Sequence, residues 1–451
     1  MTDTVQQARS APKTSWFMAD KAIAALAFLI ALFCLLPHIS VLLASFLGDT
    51  DTLRHLAGSV LDDYARNTLA LVVIVGIATF AIGTGSAWLV TMTDFTGRRW
   101  LEIALVIPLA FPAYVLAYAY THVLDHPGIV QSVLRDVTGW GPRDYWFPEI
   151  RSLGGAAAML TLVLYPYVYL LARAAFLGQS ATTFLAARSL GKSPMRAFVT
   201  VSLPLARPAI AAGVLLAMME TVADFGTVSY FGVQTFATGI YNSWFGMVDR
   251  GAAAQLSLGL LTFALLLAVL ERSNRGRAQF ANGKRQEVIA RIPLTGAARW
   301  GAMLLCGLPV LFGVIIPVVA LTVMAAGSEQ NLFSPRYIGF ITNSLTLAGI
   351  AAFVTVAAAT LLGSLNRLRE TRGAAAALYI SRIGYAVPGG VIAVGLMVPF
   401  AAFDNGLDAW MRATFDVSTG LLFTGSIWLL IGAYMIRFLA AALGAYEGGI
   451  A

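Results

Sequence analysis

The chain has 451 residues, 58% of them hydrophobic and 12% charged, with a mean hydropathy of +0.76. A soluble protein of this size needs roughly twice that charged fraction to cover its surface, so the composition excludes a soluble globular enzyme and points to a polytopic membrane protein. The net charge of +7 reads as basic loops on one side of a bilayer, not as a nucleic-acid surface, and the long alternating strands of an outer-membrane barrel are missing.

From the N-terminus, a polar tail (1–21) leads into an apolar run at 22–47, too long for a cleaved signal. Further runs follow at 68–91, 101–121, 156–178, 207–225 and 253–271, each near the length of about 20 residues that crosses the hydrocarbon layer. After the third run, THVLDHP places His122 and His126 one helical turn apart with Asp125 between them, a spacing that can ligate a metal. No third ligand is evident and a proline follows, so ordinary histidines at a membrane edge are the plainer reading. Arg173, near the end of the fourth run, reads as a snorkelling cation.

The segment 184–210, FLAARSLGKSPMRAFVTVSLPLARPAI, stands apart from these runs. It is amphipathic and carries Arg188, Lys192, Arg196 and Arg207. Its first part, 184–190, is predicted to form a short helix closed by Gly191, which can adopt the left-handed conformation of a helix end. Ser193 then caps a second helix whose first residue is Pro194. Leu203-Pro204 and Arg207-Pro208 are expected to close that helix and return the chain to the membrane. The product is a compact knob with small alanine faces, a shape suited to docking in a groove on another protein.

Glu220 and Asp224 lie at i, i+4 near the end of the next span, so both carboxylates can share one face. Acidic residues at that depth face a cavity or a partner. Together with Tyr230 and Tyr241 they are candidate lining for a pathway through the membrane. The competing reading is a capped or ion-paired carboxylate at a helix end. Beyond them, 272–299 is basic, rich in Gly and Asn and without apolar periodicity, as expected of a linker.

Four more runs follow at 300–325, 344–365, 375–402 and 419–443, giving about ten in all. In the third of them YAVPGG breaks the helix, which makes Pro388 and Gly389 candidate pathway residues, with a simple kink as the alternative. Arg382, inside that run, is expected to pair with a carbonyl or a neighbour. Cys34 and Cys306 both fall in apolar runs and read as small buried hydrophobes. With the N-terminus on the cytoplasmic side, twenty Lys and Arg fall in inside segments and eight in outside ones. That distribution puts 184–210 in the cytoplasm.

An internal repeat links the halves. ARNTLAL at 65–71 matches ITNSLTL at 341–347, and an offset of 276 relates Asn67 to Asn343, Gly97 to Gly373 and Pro112 to Pro388. Ala186 lies 74 residues after Pro112, so its counterpart is expected near position 462, beyond the last residue, Ala451. The repeat therefore predicts a second unit that is incomplete, lacking a second basic insert and two further helices, the alternative being a real asymmetry between the halves.

The spacing Ala186-Ala187-x3-Gly191-x9-Val201-x-Leu203-Pro204 resembles the EAA loop of binding-protein-dependent ABC transporter permeases, E-A-A-x3-G-x9-I-x-L-P. Leu185 replaces the usual Glu, and Val201 the usual Ile. The stretch METVADFGTVSYFGVQTFATGIYNSWFGMVDRGAAAQLS at 219–257 and the run RFLAAALG at 437–444 resemble fused, double-length ferric-iron permeases. The resemblance implies an all-α polytopic fold, a tandem parallel repeat of a six-helix permease unit. It divides the chain into a first unit at 22–271 with its coupling loop at 184–208, the linker at 272–299, and an incomplete second unit at 300–451. It assigns Ala186, Ala187, Gly191, Lys192, Pro194, Val201, Leu203 and Pro204 to contact with an ATPase.

No P-loop, nucleophile elbow, HExxH pair or CxxC occurs. The expectation is a non-enzymatic transport subunit of the bacterial inner membrane that binds no cofactor, while ATP and Mg sit on a partner ATPase dimer. A periplasmic binding protein delivers the solute, ferric iron. The alternatives are an importer for another small solute such as thiamine or a phosphonate, a secondary transporter, and a remnant that inserts without coupling.

Overall fold

A computed structural model describes residues 13–48, 51–179, 181–275, 291–328, 331, 333–368 and 372–450. The expected tail lies outside the described residues up to position 12, as does the linker from 276 to 290. In chain order the helices begin with α1 (Lys13–Leu47), α2 (Asp51–Ala57) and α3 (Leu61–Met92). A two-residue strand, β1 (Thr93–Asp94), precedes α4 (Arg98–Ala104), α5 (Ala113–Leu124), α6 (Ile129–Thr138) and α7 (Leu153–Leu177). The knob contributes α8 (Ala181–Ser189) and α9 (Pro194–Ala197), followed by α10 (Leu203–Ala223), α11 (Gly226–Tyr230), α12 (Phe236–Tyr241) and α13 (Arg250–Arg275). After β2 (Ile292–Pro293) come α14 (Gly296–Val310), α15 (Ile316–Ala326), α16 (Pro335–Leu368), α17 (Arg372–Ile383), α18 (Gly389–Phe415) and α19 (Ile427–Ile450).

Among the described residues nine helices are long and apolar enough to cross a membrane. A bent pair, Arg98–Ala110 with Ala113–Thr138, folded by 96° at its break, brings the number to ten when it is counted as one span. The protein is an all-α polytopic membrane protein, and its spans fall on the ten apolar runs.

The break has a local cause. Phe111 and Pro112 are both extended, at φ/ψ of −93/131 and −63/135 degrees, after a 3-10 turn at Ile107–Ala110. Proline has no N–H to extend the preceding helix and pushes its predecessor out of the α region, so the chain restarts as α5 in a new direction. Residues 276 positions later do the same: a 3-10 turn at Gly384–Ala386, Val387 at −86/124 and Pro388 at −58/144 degrees, then α18. The repeat seen in the sequence is thus a repeat of backbone conformation. It is imperfect at Gly97, left-handed at φ 81° at the start of α4, because Gly373 lies inside α17.

The chain divides into two compact units. One holds 50–249 and 259–330, and its centre is α7 against α3 and α10. Tyr165, Val168, Tyr169, Ala172 and Phe176 of α7 are fully buried. The close approach depends on glycine. A Cβ on Gly83 would lie 2.7 Å from the Val168 Cβ and 2.9 Å from the Tyr169 nitrogen, and one on Gly213 would lie 2.8 Å from the Val168 Cα. Gly83→Val should therefore cost about 1–3 kcal/mol through overpacking and lower the thermal midpoint in detergent. Gly85→Ala, whose Cβ would meet Leu305 Cδ2 at 3.5 Å, should leave the midpoint unchanged.

The other unit holds residues up to 49, 250–258 and 331–451. Here α1 lies against α17 and α18, and α16 against α19. Gly395 takes Pro37 of α1 at backbone distance, with a hypothetical Cβ 2.6 Å from the Pro37 Cα, and Gly432 faces the Phe33 ring. Two carboxylates one turn apart on α18 organise the loop that follows. Asp404 accepts from the Phe423 and Thr424 N–H groups, and Asp408 from the Thr419 and Gly420 N–H groups and the Ser418 hydroxyl.

The packing units cut across the linear division at 272–299. The first helix of the first half, α1, packs on the second half's α17 and α18, while α14 packs on α3 and α4 and α15 on α5. The small-residue ledges that accept α1, at Gly395 and Gly432, belong to the second half, so the first helices are exchanged.

The two arginines that the sequence places inside apolar runs, Arg173 and Arg382, are paired. Arg173 of α7 binds Glu102 of α4, and Arg382 of α17 binds Glu447 of α19. Arg173 thus does not snorkel freely, because a carboxylate from the next helix is within reach. The polarity is opposite in the two repeats: the short helix carries the acid in one and the base in the other.

Candidate functional site

Two features carry the residues singled out in the sequence, both in the 50–330 unit. The first is the knob. As expected, α8 ends at Gly191, left-handed at φ 83° with open space where a Cβ would stand. Leu190 donates its N–H to Ala186 O at 3.1 Å, and Lys192 donates its own to Ala187 O at 3.2 Å. Side chains brace the turn: Arg188 Nη1 reaches Lys192 O at 2.9 Å, and Lys192 Nζ reaches Thr200 Oγ1 at 2.9 Å. Ser193 caps α9 by accepting the Arg196 N–H, with Pro194 in the first turn.

The expectation that Leu203-Pro204 closes the second helix is corrected. Pro194–Ala223 forms one continuous helical span. A π-turn at Phe198–Ser202 sits just before the prolines, and such a widened turn accommodates carbonyls that a proline leaves without a donor. Knob and membrane helix are therefore one rod. Gln179 Nε2 donates to Ser202 O at 2.9 Å across the neck, and Phe198 stacks on Trp88 with ring centres 4.7 Å apart.

The motif residues sort by face. Phe184, Ala187 and Ala197 are buried against one another, with Val201 packed beside them. Leu203 packs against the membrane core. Ala186, Gly191 and Pro204 are exposed, and Lys192 and Pro194 half-buried. The outer face also presents Leu185, Leu190, Met195 and Val199, with Leu190 83% exposed. Exposed apolar side chains among Arg188 and Arg196 are unusual for a loop that meets only water.

A contributor missed in the sequence completes the knob's core. Ile292, from the end of the linker, packs on the same cluster. Its strand β2 pairs in parallel with β1, Thr93 opposite Ile292 and Asp94 opposite Pro293. The signal in the sequence was slight, a single Ile-Pro-Leu after a basic tract.

The second feature is a cavity of about 300 Å³ beside the break at Phe111 and Pro112, lined also by Tyr167, Glu220, Asp224 and Phe225. Glu220 and Asp224 do share it, as the i, i+4 spacing predicts. Asp224 has a structural task as well: its carboxylate accepts from the Thr227 and Val228 N–H groups at 3.0 and 3.2 Å and from the Thr227 hydroxyl at 3.1 Å, holding the start of α11. Tyr230 does not line the cavity. It lies edge-on to Tyr118, with the Arg151 guanidinium 5.7 Å above its ring. Tyr241 lies behind Phe225 at 4.9 Å between ring centres, one layer out. The cavity's tyrosine is Tyr167, on α7, which no spacing in the sequence ties to the carboxylates.

Pro388 and Gly389 belong to the other unit, where Pro388 is buried at the start of α18 and Gly389 is exposed. His122 sits in the last turn of α5, and the His126 N–H is held by Asp125 at 2.9 Å. Among the described residues no group of three or more His, Cys, Asp or Glu could hold a metal ion.

Membrane spans, a short helical knob continuous with one of them and a cavity at a broken helix define a helical polytopic membrane protein. Residues 80–275, which include the knob and both carboxylates, match the family of binding-protein-dependent transport system inner membrane components. The chain is 27% identical over 390 residues to the Fe(3+)-transport system permease protein FbpB 2 of Haemophilus influenzae, covering 82% of this chain and 70% of that protein. It is 24% identical over 409 residues to the ferric transport system permease protein FbpB of Actinobacillus pleuropneumoniae, covering 84% of this chain and 58% of that one. The molybdenum transport system permease protein ModB of Escherichia coli is 28% identical over 202 residues, 43% of this chain and 85% of its own length.

Proposed function

We propose that this chain is the membrane-spanning permease subunit of an ATP-driven importer for ferric iron. A binding protein outside the inner membrane delivers the iron, and a separate ATPase dimer, carrying ATP and Mg, docks on the knob from the cytoplasm, the side that also holds the N-terminus. The observation that carries this reading is the knob itself. Its inner face is fixed to the membrane core and its outer face is apolar and cationic. Its second helix runs unbroken through Pro194–Ala223 to the cavity at Glu220. A push on the knob is then a displacement of the cavity wall.

The iron reading is supported by the ferric permeases among the relatives and by the charge of the cavity. Two carboxylates and a tyrosine offer oxygen atoms to a hard cation and repel an oxyanion. That charge argues against the molybdenum system as the guide to substrate. The test is reconstitution with the ATPase and binding protein and measurement of ATP-dependent uptake of radioactive iron. Uptake of molybdate or another solute in place of iron would overturn the substrate.

The two carboxylates should separate in that assay. Glu220→Gln is expected to lower iron uptake at least tenfold without changing the thermal midpoint. Asp224→Asn should also lower the midpoint, because it weakens the hold on α11. Equal uptake by wild type and Glu220→Gln would remove Glu220 from the path.

A further inference from the structure

We propose that residues 292–294 form a clasp that seats the knob and carries its displacement into α14 as well as into α10. The inference rests on the reading of the knob as the ATPase lever and adds a second route from it.

The argument starts from the size of the knob. Its first helix is nine residues long, too short to be stable without tertiary support. The buried cluster that holds it in place is Phe184, Ala187 and Ala197, two of the three being alanine. The apolar side chain that fills the remaining space from another part of the chain is Ile292.

Ile292 is not a loose contact. Its strand is paired to Thr93 and Asp94, and the Leu294 N–H donates to Asp94 O at 2.9 Å. Thr93 is itself fully buried, with its hydroxyl on Leu89 O at 2.6 Å. Asp94 faces the Arg98 guanidinium at 3.7 Å. The clasp is thus anchored to the end of α3.

Two residues beyond Leu294, α14 begins at Gly296. Ala302, Cys306 and Val310 of α14 are buried in the same cluster as Ala206 and Ile210 of α10. Knob, clasp, α14 and α10 therefore form a closed mechanical loop: the knob touches the clasp through Ile292 and continues into α10, and both arms meet again in the core. A rod attached at one end can pivot at its π-turn, whereas a rod held also at its side must take its neighbour along. Packed elements transmit displacement because they are close to incompressible.

The test uses the full chain in lipid nanodiscs, with Ile292→Ala, Ile292→Asp and the conservative Ile292→Val. Hydrogen exchange over 184–201 is expected to rise at least tenfold in the Ala and Asp variants and to stay at the wild-type level in the Val variant. Protection in α3 and α7 should not change, which separates unseating from global unfolding. With the ATPase and binding protein added, the number of ions imported per ATP should fall at least fivefold for Ile292→Ala while hydrolysis continues. Unchanged exchange over 184–201, or loss of protection throughout α3 and α7, would overturn the clasp. Raised exchange with an unchanged import ratio would overturn its part in transmission. Wild-type chain that neither stimulates hydrolysis nor imports would instead sink the lever reading, which the exchange experiment does not depend on.

Discussion

Ala187→Glu is expected to abolish ATP-driven uptake while the chain still reaches the membrane. Ala187 is buried against Phe184 and Ala197 in an apolar cluster completed by Val201 and Ile292. An ionised group left without a partner in such a site costs several kcal/mol, more than the nine-residue helix α8 can oppose. The knob should detach from its seat, while the spans, whose cores at Val168 and Leu160 lie elsewhere, remain folded. Uptake should fall at least a hundredfold, and the thermal midpoint of the bundle should move by only a few degrees. Ala186→Glu, on the exposed face one residue earlier, should leave the knob seated. The pair separates the inner face from the outer one: exchange over 184–201 rises in the first variant and not in the second.

Glu102→Arg is the substitution expected to damage the fold itself most. Glu102 bonds Arg98 Nη1 at 3.1 Å and also pairs with Arg173. Arg98 is almost fully buried, and its Nη1 donates at the same time to Val90 O at 3.1 Å. Removing one partner from a buried charge network costs about 3–5 kcal/mol, and an arginine in its place gathers three guanidinium groups where α3, α4 and α7 meet. The expected result is loss of most of the chain from the membrane fraction. Adding Arg173→Glu should restore part of it, by rebuilding one pair with reversed polarity and leaving Arg98 beside a new arginine. A double-mutant cycle on the thermal midpoint, using Glu102→Gln and Arg173→Gln for stability of expression, should give a coupling of about 1–3 kcal/mol. Additive effects would mean that the pair is a surface contact of little weight.

The membrane fold was legible because its signals are local. An apolar run of the right length is helical wherever it sits, and the ten runs all lie on helices, two of them broken at a proline. The Pro112 and Pro388 breaks were legible for the same reason, since proline acts on its own backbone and its predecessor. The turn of the knob at Gly191 and Ser193 followed from rules about helix ends. What the residues could not reveal depends on partners far away in sequence. The exchange of α1 and α14 rests on glycine ledges such as Gly395, which read in the sequence as ordinary membrane glycines. Arg173 and Arg382 found glutamates 71 and 65 residues away. Tyr167 joins Glu220 only because α7 and α10 are adjacent, and Tyr230, close in sequence, turns to Tyr118. Ile292 illustrates the limit best, since nothing in a basic linker announces one isoleucine that completes a core formed a hundred residues earlier.

The central claim is that the knob is the surface on which a separate ATPase acts. Site-specific cross-linking tests it most directly, and the structure selects the position. Gly191 is left-handed, so a cysteine there would strain the turn, whereas Leu190 is 83% exposed beside it. Leu190→Cys, carrying a short photoreactive label in membranes that contain the ATPase, should cross-link to that subunit in a nucleotide-dependent manner. Trp146→Cys, 87% exposed but outside the knob, should not. Absence of any adduct at position 190, in membranes where the same labelled chain still drives ATP-dependent uptake, would contradict the account.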